Sequence, residues 1–233
     1  MNRDKVLIVI PAYNEEKNIC RVVDELRKNY SEFDYVVVND GSKDKTVQLC
    51  YENNYCVIDL QVNLGLAGAV QTGMKYAYTN NYGYAVQLDA DGQHLPEYIC
   101  KLKEQIDEGN DIVIGSRFVK EKKPCTMRML GSNMISFAIK LSTGKVIKDP
   151  TSGMRIYNRK MIEKFANSLN FGPEPDTISH LVHNGVKVSE VQVEMKERIA
   201  GESYLNFYKS IMYMIRMFCS ILIIQNFRGK ERR

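Results

Sequence analysis

The chain has 233 residues, of which 44% are hydrophobic and 26% charged, as expected for one globular domain with a substantial core. Its formal net charge of +4, without a basic stripe interleaved with aromatic residues, argues against a nucleic-acid partner. The six cysteines form no Cys-x-x-Cys pair, and no signal peptide precedes the first predicted strand, so we expect a reducing, cytoplasmic environment.

The first half of the chain alternates between β-branched runs and amphipathic helical repeats. We predict strands at 6–10, 35–38, 56–60, 84–88 and 112–114, with helices at 15–30, 67–79 and 96–107. Ser42 or Asp44 should cap the helix that follows the second strand. This alternation predicts an α/β fold with an open, mostly parallel sheet covered by helices on both faces. Because ligands bind beyond the carboxyl ends of such strands, the loops at 11–16, 39–44 and 89–94 should converge on one crevice.

Beyond residue 118 the pattern is less regular. It predicts a helix at 127–141, a strand at 154–157, a helix at 176–183 and a strand at 186–193. We expect these elements to complete the same domain. The loop at 172–176 carries two acidic residues, which would either face a substrate or cap the next helix.

The segment at 205–225 is almost entirely apolar. Within it Lys209, Tyr213, Arg216 and Ser220 recur at helical spacing and draw one narrow polar stripe. The segment is too short, and too interrupted by Arg216, to predict a transmembrane span. We predict an amphipathic helix in the membrane interface, so that residues 205–233 form a membrane-associating unit with a basic tail. The tail carries Arg228, Lys230, Arg232 and Arg233. The alternative is a buried core or dimer helix.

The strongest chemical signal is the segment Gln87-Leu88-Asp89-Ala90-Asp91-Gly92-Gln93-His94, at the end of a predicted buried strand. Two carboxylates this close repel each other unless a cation lies between them. Mg²⁺ or Mn²⁺, held by such a pair and by substrate phosphates, would neutralise charge on a leaving diphosphate. The motif alone is equally typical of an acidic turn. The three histidines, His94, His180 and His183, lack a convincing set of metal ligands.

Three loops after predicted strands carry an ordered set of motifs: Pro11-Ala12-Tyr13-Asn14-Glu15-Glu16, Asn39-Asp40-Gly41-Ser42 and Asp89-Ala90-Asp91. Together they resemble the family 2 glycosyltransferases of the GT-A (Rossmann-like) fold. Within that family the chain is most similar to the dolichyl-phosphate mannose synthase type, which includes bacterial polyprenyl-phosphate glycosyltransferases. The later matching motifs are Gly115-Ser116-Arg117, Arg128 with Ser132, Asp149 with Ser152-Gly153-Met154-Arg155, and Arg198 with Gly201 and Ser203. The resemblance covers nearly the whole chain, with residues 1–204 as the catalytic domain.

The resemblance implies a role for each matching residue. The nucleotide base and ribose would be surrounded by Pro11, Tyr13, Glu15, Val38 and Asp40, and Asp40 would accept from the base N3–H. The metal and diphosphate site would consist of Asp89, Ala90, Asp91 and Gln93, with Arg198 near the donor diphosphate. The acceptor phosphate would be held by Arg117, Arg128 and Ser132, since guanidinium groups bind phosphate oxygens bidentately. Asp149 would orient the acceptor or substrate, or else cap the turn before Pro150.

Three positions depart from the family pattern. Asn39 stands where many relatives have the first Asp of Asp-Asp-Gly-Ser, which makes Asp40 the more important of the two. Met154 replaces a phenylalanine, which is a tolerable apolar exchange. Tyr204 stands where mannose-transferring relatives carry a lysine near the diphosphate, so a UDP-sugar is favoured over GDP-mannose.

These observations predict a metal-dependent, inverting glycosyltransferase that moves glucose or N-acetylglucosamine from a UDP-sugar to undecaprenyl or another polyprenyl phosphate for cell-envelope polysaccharide. A phosphate acceptor is already an anion and needs little help from a general base. We expect the protein on the inner face of the cell membrane, and leave open a small integral membrane protein as partner and a homo-oligomer. The alternatives are transfer to a saccharide hydroxyl, and a membrane scaffold that binds a nucleotide sugar without turnover.

Overall fold

The computed structural model describes residues 4–168, 171–196 and 207–224. Within these residues seven strands form one sheet. The strands are β1 (Val6–Ala12), β2 (Asp34–Asp40), β3 (Val57–Leu60), β4 (Tyr84–Gln87), β5 (Ile112–Ser116), β6 (Arg155–Asn158) and β7 (Val188–Gln192). The helices are α1 (Ile19–Asn29), α2 (Thr46–Glu52), α3 (Gly65–Thr79), α4 (Ile99–Asp107), α5 (Met127–Thr143), α6 (Arg159–Asn167), α7 (Pro175–His183) and α8 (Phe207–Cys219).

The strand order is β3-β2-β1-β4-β6-β5-β7, and the predicted mostly parallel sheet is confirmed. Strand β6 is the exception, because it runs antiparallel to both β4 and β5. The chain leaves β5 at its carboxyl end, forms α5 and returns to the same edge, where the Gly115 amide donates to the Met154 carbonyl across 2.8 Å. A strand that starts at the carboxyl edge has to run antiparallel to β4 and β5, which end there.

Both faces of the sheet are buried, as predicted. In β1, Leu7 and Val9 face one core cluster, which includes side chains from α3, α5, α6 and α7. Ile8 and Ile10 face the other cluster, which α1 and α4 complete. Because alternate residues of a strand point to opposite faces, a continuous apolar run such as Val6–Ile10 marks a strand covered on both sides.

Several predicted boundaries are wrong. Helix α1 begins at Ile19 instead of residue 15. It is preceded by a turn in which the Glu15 carbonyl accepts from the amides of Asn18 and Ile19, each across 2.9 Å. The predicted helix at 96–107 is divided into a 3₁₀ turn at Pro96–Tyr98 and α4. The predicted strand at 186–193 is shorter, at Val188–Gln192.

Helix α6 was not predicted, although its sequence contains the signals. Asn158 caps its start by accepting from the Met161 amide across 3.0 Å, and apolar residues then recur on one face that is buried. At the start of α2 the predicted capping role falls to Asp44, whose Oδ1 accepts from the Thr46 amide across 3.0 Å. Ser42 instead accepts from the Asn14 amide across 2.9 Å.

Helix α8 continues through Ser220–Ile224 as a π-helical turn, and residues 205, 206 and 225–233 lie outside the described part of the chain. Two members of the predicted polar stripe face the protein: the Tyr213 hydroxyl donates to Glu174, and the Ser220 hydroxyl donates to Asp176 across 2.7 Å. The acidic residues of the loop at 172–176 therefore bind this helix. Among the described helices, none combines the length and hydropathy needed to cross a bilayer.

Candidate active site

The first two predicted loops lie side by side at the carboxyl edge of the sheet. Pro11 and Val38 are register partners in β1 and β2. Backbone amides of one loop donate to side chains of the other: Asn14 N to Ser42 Oγ at 2.9 Å, Glu15 N to Thr46 Oγ1 at 2.8 Å, and Glu16 N to Asp44 Oδ2 at 3.1 Å. Asn14 adopts a positive φ of 56°, which asparagine tolerates better than most residues. The expected convergence of these loops is present.

The residues predicted to surround the nucleotide base differ in exposure. Tyr13 and Glu15 are half-buried, and the Glu15 carboxylate accepts from Asn18 Nδ2 across 2.7 Å. The Val38 side chain is fully buried in the core, so its backbone is the part that a ligand would meet. Asp40 is 3% exposed, and its Oδ1 accepts from the Leu64 amide across 2.7 Å. A contact between Asp40 and a base would therefore use Oδ2.

Asn39, the departure from the family pattern, is almost fully buried. Its Nδ2 donates to Asp59 Oδ1 across 2.7 Å, whereas its Oδ1 has no hydrogen-bond partner among the described residues. An aspartate at 39 would face the Asp59 carboxylate without a proton to share. Asparagine at this position therefore avoids charge repulsion and donates a hydrogen bond to Asp59 of β3.

The acidic loop follows β4, and its two carboxylates are unequally exposed. The Asp89 side chain is 36% exposed, whereas Asp91 is 4% exposed and its Oδ1 accepts from the Gln93 amide across 3.0 Å. Gly92 makes the turn between Asp91 and Gln93 with a φ of +74°, and Arg21 of α1 lies against it. The Arg21 guanidinium donates to the Asp91 carbonyl across 3.3 Å, which links this loop to α1. Ala90 is buried in the same turn.

His94 is a site residue that sequence reasoning missed. It is 6% exposed, and its Nδ1 accepts from the Asp89 amide across 3.0 Å. A neutral ring that accepts at Nδ1 carries its proton on Nε2, and that atom lies 3.8 Å from Asp89 Oδ2. His94 therefore holds the backbone of Asp89 and lies next to its carboxylate. Its place in the loop was visible in the sequence, but a histidine without other ligands gave no sign of this contact.

Arg117 and Asp149 form a bidentate ion pair next to the acidic loop. Arg117 Nε lies 2.8 Å from Asp149 Oδ2, and Nη2 lies 3.0 Å from Oδ1. Asp149 is fully buried, and its amide donates to Glu190 Oε1 across 2.8 Å. The arginine side chain keeps 24% of its surface exposed. Asp149 thus holds Arg117 in place, and its role in orienting the acceptor or substrate stays a prediction.

Gly153 brings the two halves of the site into contact. A Cβ atom at this position would meet Oδ2 of Asp89 and the ring of His94, so a larger residue would displace the Asp89 carboxylate. Arg155, which follows closely, is 1% exposed and donates to the carbonyls of Ser152, Pro173 and Pro150 at 2.9, 2.6 and 2.7 Å. This buried guanidinium fixes the turn that carries Asp149 and Gly153.

The remaining predicted acceptor residues lie on or near α5. Ser132 is 2% exposed, and its hydroxyl accepts from Lys123 Nζ across 2.9 Å. Partial burial lowers the pKa of the Lys123 ammonium, against the attraction of Asp149 and Glu190. Arg128 is in the first turn of α5, and its side chain is not described. Arg198, Gly201, Ser203 and Tyr204 lie outside the described residues, although Lys196 N donates to the Gln93 carbonyl across 2.9 Å.

The sheet order and the loops at its carboxyl edge define the GT-A class of glycosyltransferases. Residues 7–166 match the family model described as glycosyl transferase family 2, and the chain belongs to that family. The crystal structure of glucosyl-3-phosphoglycerate synthase from Mycobacterium tuberculosis with Mn²⁺, UDP and glucosyl-3-phosphoglycerate is similar, with a TM-score of 0.65. That similarity covers 95% of this chain and 79% of that chain at 19% identity, and it shows the fold alone.

Two relatives carry names that specify a lipid phosphate. The polyprenol monophosphomannose synthase of Mycolicibacterium smegmatis is 29% identical over 216 residues, which cover 87% of this chain and 81% of the relative. The UDP-N-acetylglucosamine–dolichyl-phosphate N-acetylglucosaminyltransferase of Methanococcus voltae is 34% identical over 189 residues, which cover 71% of this chain and 74% of the relative. The chain is therefore similar to polyprenyl-phosphate glycosyltransferases whose names specify different sugars.

Proposed function

We propose that the protein transfers glucose or N-acetylglucosamine from a UDP-sugar to a polyprenyl phosphate, such as undecaprenyl phosphate, at the inner face of the cell membrane. The product would serve cell-envelope polysaccharide synthesis. The observation that carries this proposal is the contact between two unlike sites: Asp89 of the acidic loop touches Gly153, and the turn of Gly153 also carries Asp149, the partner of Arg117. The proposed donor site around Asp89 and the proposed acceptor site around Arg117 are therefore adjacent.

The acidic loop fits Mg²⁺ or Mn²⁺. The described residues contain no cluster of three or more His, Cys, Asp or Glu side chains suited to a metal. The loop offers two carboxylates, of which Asp89 is partly exposed and Asp91 is nearly buried. This suits a hard cation whose remaining ligands are substrate phosphates and water. Asp89, Asp91 and Gln93 would hold it. When bound, the ion supplies positive charge next to the leaving diphosphate.

The burial of Asp149 favours a phosphate acceptor over a saccharide hydroxyl. A hydroxyl acceptor needs a carboxylate base, but both oxygens of Asp149 already accept from Arg117. A phosphate acceptor needs positioning and positive charge, which Arg117 provides. One phosphate oxygen forms a bond to the anomeric carbon while the bond from that carbon to the diphosphate oxygen breaks. UDP leaves with the electron pair, and an α-linked donor yields a β-linked sugar phosphate.

The choice of donor rests on sequence. Tyr204 replaces the lysine of mannose-transferring relatives, and Asp40 would accept the N3–H of uracil through Oδ2. The two relatives named above differ in sugar, so they do not decide between mannose and N-acetylglucosamine. A UDP-sugar is the hypothesis that the departures from the family pattern favour.

A membrane location is supported by an exposed apolar surface on two neighbouring helices. The α5 stripe consists of Met127, Leu130, Met134, Phe137 and Leu141, which are all exposed and spaced by three or four residues. Helix α8 adds the exposed Met212 and Ile215, and it packs closely because Gly131 leaves room for Met214. Residues 122–148 contain six Lys or Arg and no Asp or Glu, which suits anionic lipid headgroups. Contiguous apolar patches of this kind mark interaction surfaces.

The decisive experiment supplies purified protein with Mg²⁺ or Mn²⁺, undecaprenyl phosphate in detergent, and labelled UDP-glucose, UDP-N-acetylglucosamine or GDP-mannose in separate reactions. The proposal expects organic-extractable label from a UDP-sugar, none with EDTA, and none with Asp91→Asn. Label found only in soluble oligosaccharide would show a hydroxyl acceptor. Donor binding without turnover in any reaction would instead indicate a scaffold.

A further inference from the structure

Lys123 lies at the acceptor side of the site in an unusual environment. Its ammonium donates to Ser132 Oγ across 2.9 Å and to Ser136 Oγ across 3.4 Å, and both serines are on α5. The Ser136 hydroxyl donates in turn to the Ser132 carbonyl across 3.0 Å. Within the described residues the Ser132 hydroxyl accepts from Lys123 and meets no acceptor for its own hydrogen. That O–H is therefore available to an anionic ligand.

Lys123 shares the ring of Phe118 with Arg117. The Arg117 guanidinium carbon lies 5.0 Å from the ring centroid, and Lys123 Nζ lies 5.6 Å from it. Two cations are thus placed around one aromatic side chain. Cations attract the electron-rich face of a ring, but they repel each other unless an anion is nearby.

The two carboxylates nearest to Lys123 are already bound by other groups. Asp149 pairs with Arg117, and the Glu190 carboxylate accepts from the amides of Lys148 and Asp149. Lys123 makes no ion pair with any described carboxylate, although it is half-buried. An ammonium group that has lost part of its water and makes no direct ion pair favours a bound anion.

We propose that Lys123 is a further binding residue for the acceptor phosphate, which it contacts together with the Ser132 hydroxyl and Arg117. The proposal rests on the proposed function, because it takes the phosphate monoester of the acceptor lipid as the anion. Ser136 holds the ammonium in position, and the Phe118 ring contacts both this ammonium and the Arg117 guanidinium. Lysine suits this position because its ammonium is a compact charge on a flexible side chain. It can therefore reach a phosphate that is already bound by the guanidinium of Arg117.

The test measures binding of farnesyl phosphate, a short-chain acceptor, by calorimetry without donor, and separately the KM values for farnesyl phosphate and the UDP-sugar during turnover. Lys123→Met should weaken farnesyl phosphate binding and raise its KM by roughly 10- to 100-fold, as expected for a lost charge-assisted hydrogen bond. The KM for the UDP-sugar should stay unchanged. Lys123→Arg should restore most of the affinity, and the exposed neighbour Lys122→Met should behave as wild type.

Farnesol lacks the phosphate, so it shows whether Lys123 recognises the charge of the ligand or only keeps its own loop in place. If Lys123→Met weakens farnesol and farnesyl phosphate equally, or leaves both unchanged, the proposal is wrong. If farnesyl phosphate binds in a Lys123-dependent way but no product forms, the anion site stands and the proposed transfer fails. If product forms normally while Lys123→Met binds farnesyl phosphate as wild type does, only the role of Lys123 is overturned. Thermal unfolding of each variant shows whether it is folded.

Discussion

The backbone amide of Asp89 donates a hydrogen bond to Nδ1 of His94 across 3.0 Å, so the histidine ring closes the acidic loop on itself. The other ring nitrogen faces the Asp89 carboxylate at 3.8 Å. Residues that orient metal-binding carboxylates contribute to affinity without touching the metal. His94 is thus a positioning residue for the proposed metal site.

His94→Ala should weaken Mn²⁺ binding in the presence of UDP by about 10- to 100-fold, because Asp89 loses the group that orients it. His94→Asn should retain more affinity, since an amide oxygen can accept the Asp89 N–H in place of Nδ1. Calorimetric titration of Mn²⁺ into protein with UDP measures both. Equal affinity in wild type and His94→Ala would contradict this role.

Breaking the buried Arg117–Asp149 ion pair should lower both the stability of the fold and the affinity for the acceptor. Asp149→Asn leaves a guanidinium without its counter-charge, so we expect the free energy of unfolding to fall by roughly 1.5–3 kcal/mol. The KM for polyprenyl phosphate should rise, because Arg117 is no longer fixed. Urea unfolding and acceptor kinetics are the measurements.

The exposed pair Lys103–Asp107 is the matched control, with N···O at 2.7 Å and both side chains about one-third or more exposed. Asp107→Asn should change stability by less than about 1 kcal/mol, because solvent screens surface pairs. A similar loss in both variants would show that burial of Asp149 does not strengthen its pair.

Loss of the Arg155 guanidinium should lower the free energy of unfolding more than Asp149→Asn or Asp107→Asn. Arg155→Met removes the donors for three buried carbonyls, each of which costs about 1–3 kcal/mol when left unpaired. We expect a loss of at least about 3 kcal/mol in urea unfolding, with only partial recovery in Arg155→Lys. A loss below 1 kcal/mol would mean that water replaces the guanidinium.

The sequence predicted the parts of the site that depend on strand ends. Pro11 and Val38 lie near the carboxyl ends of buried parallel strands, and Asp89 follows another. Such ends meet at one edge whatever the details of packing. The antiparallel direction of β6 was missed, because the return of the chain after α5 depends on contacts formed in three dimensions. Lys123 was not singled out, because a single basic residue carries no pattern. Arg155 stands in a motif that matched the family, but its bonds to the carbonyls of Ser152, Pro150 and Pro173 depend on how the chain folds back and were not predicted.

Because the side chains of the α5 stripe are exposed, substitutions there should weaken membrane binding without lowering the stability of the fold. Phe137 and Leu141 are 61% and 65% exposed, so Phe137→Glu with Leu141→Glu should leave the free energy of unfolding nearly unchanged. Each side chain would contribute up to about 1.5–3 kcal/mol when buried in lipid, and the added acids repel anionic headgroups. Co-sedimentation with vesicles of phosphatidylglycerol and phosphatidylethanolamine should therefore fall at least about tenfold.

Tyr51 of α2 provides the control, since it is equally exposed at 58% but is not part of the α5 stripe. Tyr51→Glu should bind vesicles as wild type does. If the double variant also binds as wild type does, the stripe faces something other than lipid. A change from dimer to monomer in light scattering would then identify a second copy of the chain as the partner of α5. Turnover of soluble farnesyl phosphate should stay intact in the double variant, because Arg117 and Asp149 are not on the stripe.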